Sequence, residues 1–340
     1  MLRRDIDEYH FLADPKTGIT FRWGKTLDDD PSFAPVPELA DISISNHCSK
    51  GCSFCYKNSR INYSFMSVED YCFVLDSLSH PQYGSVFQVA IGGGEPLEHP
   101  QLYEILDSTI ERDIVPNMTT NGLLLNESTV NKLSSRVGAL AISVTDILSI
   151  DPSVISILHD HNVKTNIHYV LSSRNLSQAY QIVNGEFNHL ISAVNSIVFL
   201  TYKPAGRGKV DYVIKENAQL QLFLDKIQSC KCTCKIGFDA CFVPLIMRYT
   251  DIDSNLIDTC EGAFFSVYID ENLMVSPCSF SGSKDKFSLR EFSFYDIWIN
   301  KFDSYRKLCI NSCTSVCRAK FLCRGYCPYY PIITTCYQND

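Results

Sequence analysis

The chain has no apolar run long enough to span a bilayer, and its start, "MLRRDIDEYH", lacks the pattern of a signal peptide. A cytoplasmic protein is expected, with no membrane partner and with its thiols kept reduced. Positive charge is not in excess either: Lys and Arg number 30 against 38 Asp and Glu, a formal net charge of -8. Without a global pull on phosphate, nucleic acid is not an expected partner. Asp28, Asp29 and Asp30 read as a solvated acidic loop. There is no internal repeat, no low-complexity tract and no G-x-G-x-x-G opening a helix, so a dinucleotide fingerprint is missing. Against these absences stands one surplus, 16 cysteines in 340 residues. In a reducing compartment that many thiols point to metal rather than to a disulfide framework.

The length suits about two domains. The segment "EYHFLADPKTGITFRWG" predicts two short strands around a turn at residues 14–18, followed by the Pro-rich connector "DDDPSFAPVPE". A regular alternation then begins. Strand-like runs at 40–45, 85–93, 114–120, 139–145, 163–171 and 196–203 are separated by helix-like segments. The first of these has a capping-box start, Ser67 with Asp70; the others lie near 101–111, 126–135, 151–161 and 176–188. This spacing predicts a parallel sheet with right-handed crossovers. The expected fold is α/β, a partial (β/α)6 TIM-like barrel, with seven or eight strands also open. Past about residue 215 the pattern fades into a cysteine-rich region, of a kind usually held by metal. The expected units are an N-terminal hairpin and connector (1–39), the barrel (40–230) and a cysteine-rich domain (231–340).

Two motifs follow the first two barrel strands. Cys48, Cys52 and Cys55 form C-x3-C-x2-C directly after the first strand, on the side where parallel barrels keep their reactive groups. Three thiolates can hold three irons of a four-iron cluster and leave the fourth open to another ligand. A zinc site with a distant fourth ligand, or buried thiols, are the plainer alternatives. "AIGGGEP" ends the second strand, where glycines let the backbone approach a ligand and Glu95 can accept hydrogen bonds from an ammonium group.

Together these motifs resemble the radical S-adenosylmethionine (SAM) enzymes, over about residues 40–210. The resemblance implies a [4Fe-4S] cluster on Cys48, Cys52 and Cys55 whose open iron is chelated by SAM. An electron from the cluster, supplied by a donor such as flavodoxin or ferredoxin, then cleaves SAM to a deoxyadenosyl radical that abstracts a substrate hydrogen. It implies SAM contacts at Phe54, Gly93, Gly94 and Glu95, at Ser143 in "AISVTD" with Asp146 as a second candidate there, and at Asn166 or His168 in "KTNIHYV", with Asn166 preferred. Arg207 in "YKPAGRG" would reach a substrate or cofactor carboxylate. Each of these positions has a plainer role at a barrel rim, and no catalytic residue is assigned.

The tail, "CEGAFFSVYIDENLMVSPCSF" and "CTSVCRAKFLCRGYCPYYPIITTC", resembles the SPASM domain of peptide-modifying radical SAM enzymes. It departs from that pattern at the first gap, which is three residues rather than two, and at Leu273, which stands where a glycine is usual. The resemblance implies two auxiliary [4Fe-4S] clusters, one on Cys241, Cys260, Cys278 and Cys327, the other on Cys313, Cys317, Cys323 and Cys336. A pair of zinc knots is the alternative. Cys72, Cys230, Cys232, Cys234 and Cys309 are left over. Cys230, Cys232 and Cys234 fit one face of a strand, as packing or as a redox or ligand-exchange site; Cys309 could replace Cys313.

For function, the resemblance implies a maturase of ribosomally made peptides (RiPPs) that leaves a crosslink, epimer or oxidation. The alternatives are a radical SAM dehydrogenase of a small molecule and a non-enzymatic metal-bound interaction protein. Ser279 stands where sulfatase-maturing relatives carry an aspartate base, which disfavours formylglycine formation. About 40 residues precede the first barrel strand, fewer than a winged-helix leader-binding domain needs. A separate leader-binding protein is therefore allowed, as is strand addition at the hairpin of residues 8–24.

Overall fold

The computed structural model describes residues 1–253, 256–311 and 327–333. Three antiparallel strands open the chain, β1 (Leu2–Ile6), β2 (Tyr9–Ala13) and β3 (Thr20–Trp23). The turn between β2 and β3 is the expected one. Gly18, at φ 74°, donates to the Asp14 carbonyl at 2.8 Å, and the Thr17 hydroxyl donates to the Asp14 carboxylate at 2.7 Å. β1 is a third strand beyond the expected hairpin. Glu38 in the connector ties this layer down by accepting from the Tyr9 hydroxyl at 2.9 Å and from Arg22 Nη1 at 2.8 Å.

Six parallel strands then lie side by side in chain order: β4 (Leu39–Ser45), β7 (Gln88–Gly93), β8 (Val115–Thr120), β9 (Ala139–Val144), β10 (Thr165–Leu171) and β11 (Ser196–Thr201). A small ladder, β5 (Ser79–His80) and β6 (Gly84–Ser85), sits within the first crossover. The crossover helices are α1 (Val68–Ser77), α2 (Leu102–Ile110), α3 (Glu127–Leu133), α4 (Pro152–Asp160) and the pair α5 (Leu176–Val183) and α6 (Asn188–Ile191). Ser67 caps α1 as its sequence predicts, accepting the Asp70 N–H at 3.0 Å.

The sheet continues past residue 230. After α7 (Ala218–Ile227), β12 (Lys235–Phe238) adds in parallel to β11; α8 (Val243–Tyr249) follows. β13 (Ser266–Ile269) runs parallel to the other side of β4, and β14 (Met274–Ser276) and β15 (Phe287–Ser288) extend that side antiparallel. Among the described residues the result is an open, ten-stranded partial barrel with β12 and β15 at its edges. Strand β12 starts only at Lys235, so Cys230, Cys232 and Cys234 do not form the strand face expected of them. Beyond β15 come α9 (Phe294–Asp296), a π turn, α10 (Asp303–Asn311) and, in the last described segment, a 3-10 turn, Pro331–Ile333; Trp298 in the π turn donates to the Ala34 carbonyl at 2.8 Å.

Strands buried on both faces read as continuous apolar runs, but these alternate. On β4, Ala40, Ile42 and Ile44 are buried under the helices, while Asp41 and Ser43 point inward. On β10, Ile167, Tyr169 and Leu171 are buried and His168 and Val170 point inward. The alternation records a barrel whose interior is a cavity, lined by apolar groups with a few polar ones among them, rather than packed side chains. Leu273, in the turn between β13 and β14, adopts φ 63°, the region that favours glycine. The strain costs about 1–2 kcal/mol; burying the Leu273 side chain, 1% exposed, contributes about 1.5–3 kcal/mol and offsets it.

Candidate functional site

The carboxyl ends of the parallel strands surround a cavity of about 380 Å³, within the usual range for small-molecule sites of about 300–1,000 Å³. Cys48, Cys52, Cys55, Phe54, Gly93, Gly94, Glu95 and Ser143 all line it. Asn166 does not. Its side-chain oxygen accepts from Asn195 Nδ2 at 2.8 Å and from Ser196 Oγ at 2.7 Å, away from the cavity. His168, level with Ser143 across β9 and β10, takes the wall position instead. Burial lowers the His168 pKa to about 4, so the imidazole is neutral at pH 7. Asp146 caps a short 3-10 turn, Ile147–Ser149, and lines a neighbouring groove with Arg174 and Gln178 rather than the cavity.

The Gly93–Glu95 turn is fixed by close packing. A Cβ on Gly93, whose φ is 111°, would overlap the Ser43 hydroxyl and the Ser45 carbonyl; one on Gly94 would overlap the His47 carbonyl. Both glycines thus bring the second strand's end against the segment leading into Cys48. The Glu95 carboxylate is 1% exposed and accepts from the Thr120 hydroxyl at 2.6 Å, the Asn121 N–H at 2.7 Å and the Leu97 N–H at 3.0 Å. Burial raises its pKa, and these three donors oppose the rise.

The cysteine loop is braced from several elements. The Cys48 N–H donates to the Arg60 carbonyl at 3.2 Å, the Ser59 N–H donates to Cys55 Sγ at 3.4 Å, and Glu98 accepts the Ser49 N–H at 3.0 Å. Arg207 braces it too, rather than facing a ligand carboxylate. Its Nε donates to the Cys52 carbonyl at 2.8 Å, its Nη1 to the Ser59 carbonyl at 2.7 Å, and its own N–H to the Cys55 carbonyl at 3.0 Å. Gly206, at φ 58°, lets this loop press against the Cys55 and Tyr56 carbonyls. Burial raises the Cys48 and Cys52 thiols, which a bound metal would deprotonate. Among the described residues, no group of three or more His, Cys, Asp or Glu is placed to hold a single metal ion. A polynuclear cluster asks something different, one iron per thiolate around a shared space, and the three thiols do face one space.

In and around the cavity stand further groups that sequence reasoning missed. Asp41 opens into the cavity beside Tyr56 and Tyr268; its side chain is accessible to the cavity space, and desolvation by the surrounding walls raises its pKa to about 6. Lys57 forms a buried ion pair with Glu271 at 2.6 Å and also donates to Ser43 Oγ at 2.7 Å and the Tyr268 hydroxyl at 3.0 Å. Burial alone would raise the Glu271 pKa, but Lys57 outweighs it and the net shift is down. Lys203 pairs with Asp239 at 3.1 Å and sits over the Phe280 ring at 4.6 Å. Burial works against its charge, yet Asp239 and Cys241 hold it protonated. No local sequence signal marks these groups, because their partners are distant in the chain.

Four of the expected tail ligands are described. Cys241 hydrogen-bonds to Cys327 and feels the charge of Cys260, and Cys278 feels Cys327. The shared proton lowers the Cys327 pKa to about 6 and raises Cys241. Cys313, Cys317, Cys323 and Cys336 lie outside the described residues, as does the side chain of Cys309. Among the described residues no helix is long and apolar enough to cross a membrane.

Residues 42–171 match the family described as the Radical SAM superfamily. Among solved structures, Streptococcus suis SuiB bound to S-adenosylmethionine is similar at a TM-score of 0.65 and 18% identity, over 86% of this chain and 73% of that one. SuiB bound to precursor peptide SuiA gives 0.66 and 19%, over 87% and 72%. Native anSMEcpe with bound AdoMet and Cp18Cys peptide gives 0.59 and 18%, over 86% and 89%. At these identities the likeness is one of fold. No curated protein matches the chain by sequence.

Proposed function

We propose that the protein, whose residues 42–171 match the Radical SAM superfamily, is a cytoplasmic enzyme that abstracts hydrogen from a peptide and so sets a crosslink, epimer or oxidation. The observation that supports this most directly is the meeting of Cys48, Cys52, Cys55 and the Gly93–Glu95 turn in one cavity. A [4Fe-4S] cluster and SAM bound there supply reductive SAM cleavage and a carbon radical. Cys48, Cys52 and Cys55 would hold the cluster. Glu95 would receive the SAM ammonium on lone pairs that its three protein donors do not use. Phe54 would pack beside the adenine, Gly93 and Gly94 would let the backbone approach it, and Ser143 and neutral His168 would face the ribose. Asp41, which lines the same cavity, takes up a proton from the substrate.

The peptide assignment is supported by two solved structures of like fold that hold peptides, SuiB with SuiA and anSMEcpe with Cp18Cys. Cys241, Cys260, Cys278 and Cys327 would hold one auxiliary cluster and Cys313, Cys317, Cys323 and Cys336 a second, both in the 231–340 unit, and these would supply an acceptor for the substrate's electron. Flavodoxin or ferredoxin supplies the reducing electron. The leader reaches the site through a separate binding protein or by adding to the open edge of β3. Iron-loaded protein given dithionite and SAM without oxygen should form deoxyadenosine slowly with no substrate, and faster with a substrate peptide. Iron-loaded protein that binds SAM but never forms deoxyadenosine would reject this function. Acceleration by a small-molecule pool and by no peptide pool would replace the peptide with a metabolite.

A further inference from the structure

Cys230, Cys232 and Cys234 have no part in the proposed cavity chemistry. They precede β12 at the end of the sheet away from the cavity. Lys235 starts β12 level with Ser196 at the start of β11, whereas the cavity-lining Thr201 and Asp239 stand at the other ends of these strands. The segment is held by its backbone. The Lys231 N–H donates to the Val183 carbonyl at 2.8 Å. The Asn188 side chain donates to the Lys231 carbonyl at 2.9 Å and accepts the Thr233 N–H at 3.0 Å.

With Lys231 and Thr233 pinned, the thiols between and beyond them are brought together. Cys232 Sγ and Cys234 Sγ lie 3.3 Å apart, close enough for one to donate to the other. Cys230 Sγ accepts the Cys232 N–H at 3.4 Å. All three are only partly buried, whereas thiols that serve only as packing are usually sealed from solvent. The Cys234 thiol donating to Cys232 lowers the Cys232 pKa to about 7 and raises Cys234. Burial raises Cys230. An attacking thiol is fastest when its pKa lies near the ambient pH, and of the three only Cys232 meets that condition.

We propose that Cys232 and Cys234 form a redox-active dithiol that exchanges with low-molecular-mass disulfides, at a site separate from the thiols of the cavity. The Cys232 thiolate attacks one sulfur of the disulfide RSSR; the S–S bond breaks and RS⁻ leaves, to be protonated by solvent. Cys234 then loses its proton to solvent and attacks Cys232 Sγ, releasing the second RS⁻. The two protein thiols lose two electrons, and RSSR gains them as two RSH. Cys230 stays out of the bond.

Oxidised glutathione is a suitable probe on the iron-loaded protein without oxygen, followed by N-ethylmaleimide, trypsin and mass spectrometry. Cleavage after Lys231 and Lys235 puts Cys230 in peptide 227–231 and the dithiol in peptide 232–235. Peptide 232–235 should emerge unlabelled and lighter by two hydrogens, with the iron content unchanged. At pH 7 the first step should run roughly five- to ten-fold faster than at an unperturbed thiol. Cys234→Ser should stop at the mixed disulfide, with glutathione on Cys232. Wild-type peptide 232–235 carrying two maleimides would overturn the proposal without recourse to a variant. A crosslink joining it to peptide 227–231 would overturn the pairing, and iron loss in step with oxidation would overturn the separateness of the site.

Discussion

The Cys48–Cys55 loop and the tail thiols are organised by different means. The loop is braced by protein: Arg60, Ser59, Glu98 and Arg207 hold it at distances of 2.7–3.4 Å. Cys241, Cys260, Cys278 and Cys327 come from separate short segments, and a thiol–thiol hydrogen bond joins two of them. A preformed loop needs little from metal to keep its shape, whereas scattered thiols gain order from the metal they bind. Iron should therefore matter for chemistry in the first region and for stability in the second.

Changing Cys48, Cys52 and Cys55 together to Ala is the strongest way to break that comparison. Deoxyadenosine formation should be lost, about four irons should go, and circular dichroism should show the barrel intact. Unfolding of the triple variant would mean that the loop, too, depends on metal. The next largest effect should come from the joint between the regions. Glu271→Ala strands Lys57 in a buried site and should cost about 3–5 kcal/mol in denaturant unfolding. A loss within error of zero would mean that the tail turn does not hold the cysteine loop.

Glu95→Ala sharpens the comparison on the loop side. It should weaken SAM binding by about 1.5–3 kcal/mol, the range for a hydrogen bond to a charged group. Unchanged SAM titration would misplace the ammonium. Asp41→Asn should give the smallest change in stability and a selective change in activity. The folded-state pKa of Asp41 is raised to about 6, so its contribution to stability is present at low pH and lost as pH rises through about 6. The Asn variant should therefore melt higher than wild type at pH 7 and lose that advantage near pH 4. It should keep uncoupled SAM cleavage and lose product. Wild-type product formation should fall as pH drops through about 6, and a flat wild-type profile would remove Asp41 as the base.

The sequence made the strands and the cysteine loop legible for physical reasons. Buried outer faces at Ala40, Ile42 and Ile44, or Ile167, Tyr169 and Leu171, impose a period that reads directly. C-x3-C-x2-C is local, so its spacing survives in one dimension. Height along a strand does not. Asn166 and His168 share a face, and only the pairing across β9, where His168 is level with Ser143 and Asn166 with Ala141, puts His168 at the cavity. Pairing over long separations is also invisible, as with Lys57 and Glu271, 214 residues apart. Arg207 was readable as a functional arginine, but not as a brace of the Cys52 and Ser59 carbonyls.

Metal and sulfide analysis of protein purified without oxygen tests the central claim most directly. Three clusters predict about eleven to twelve irons with matching acid-labile sulfide and a brown colour. Zinc without sulfide would contradict the account at both cysteine regions.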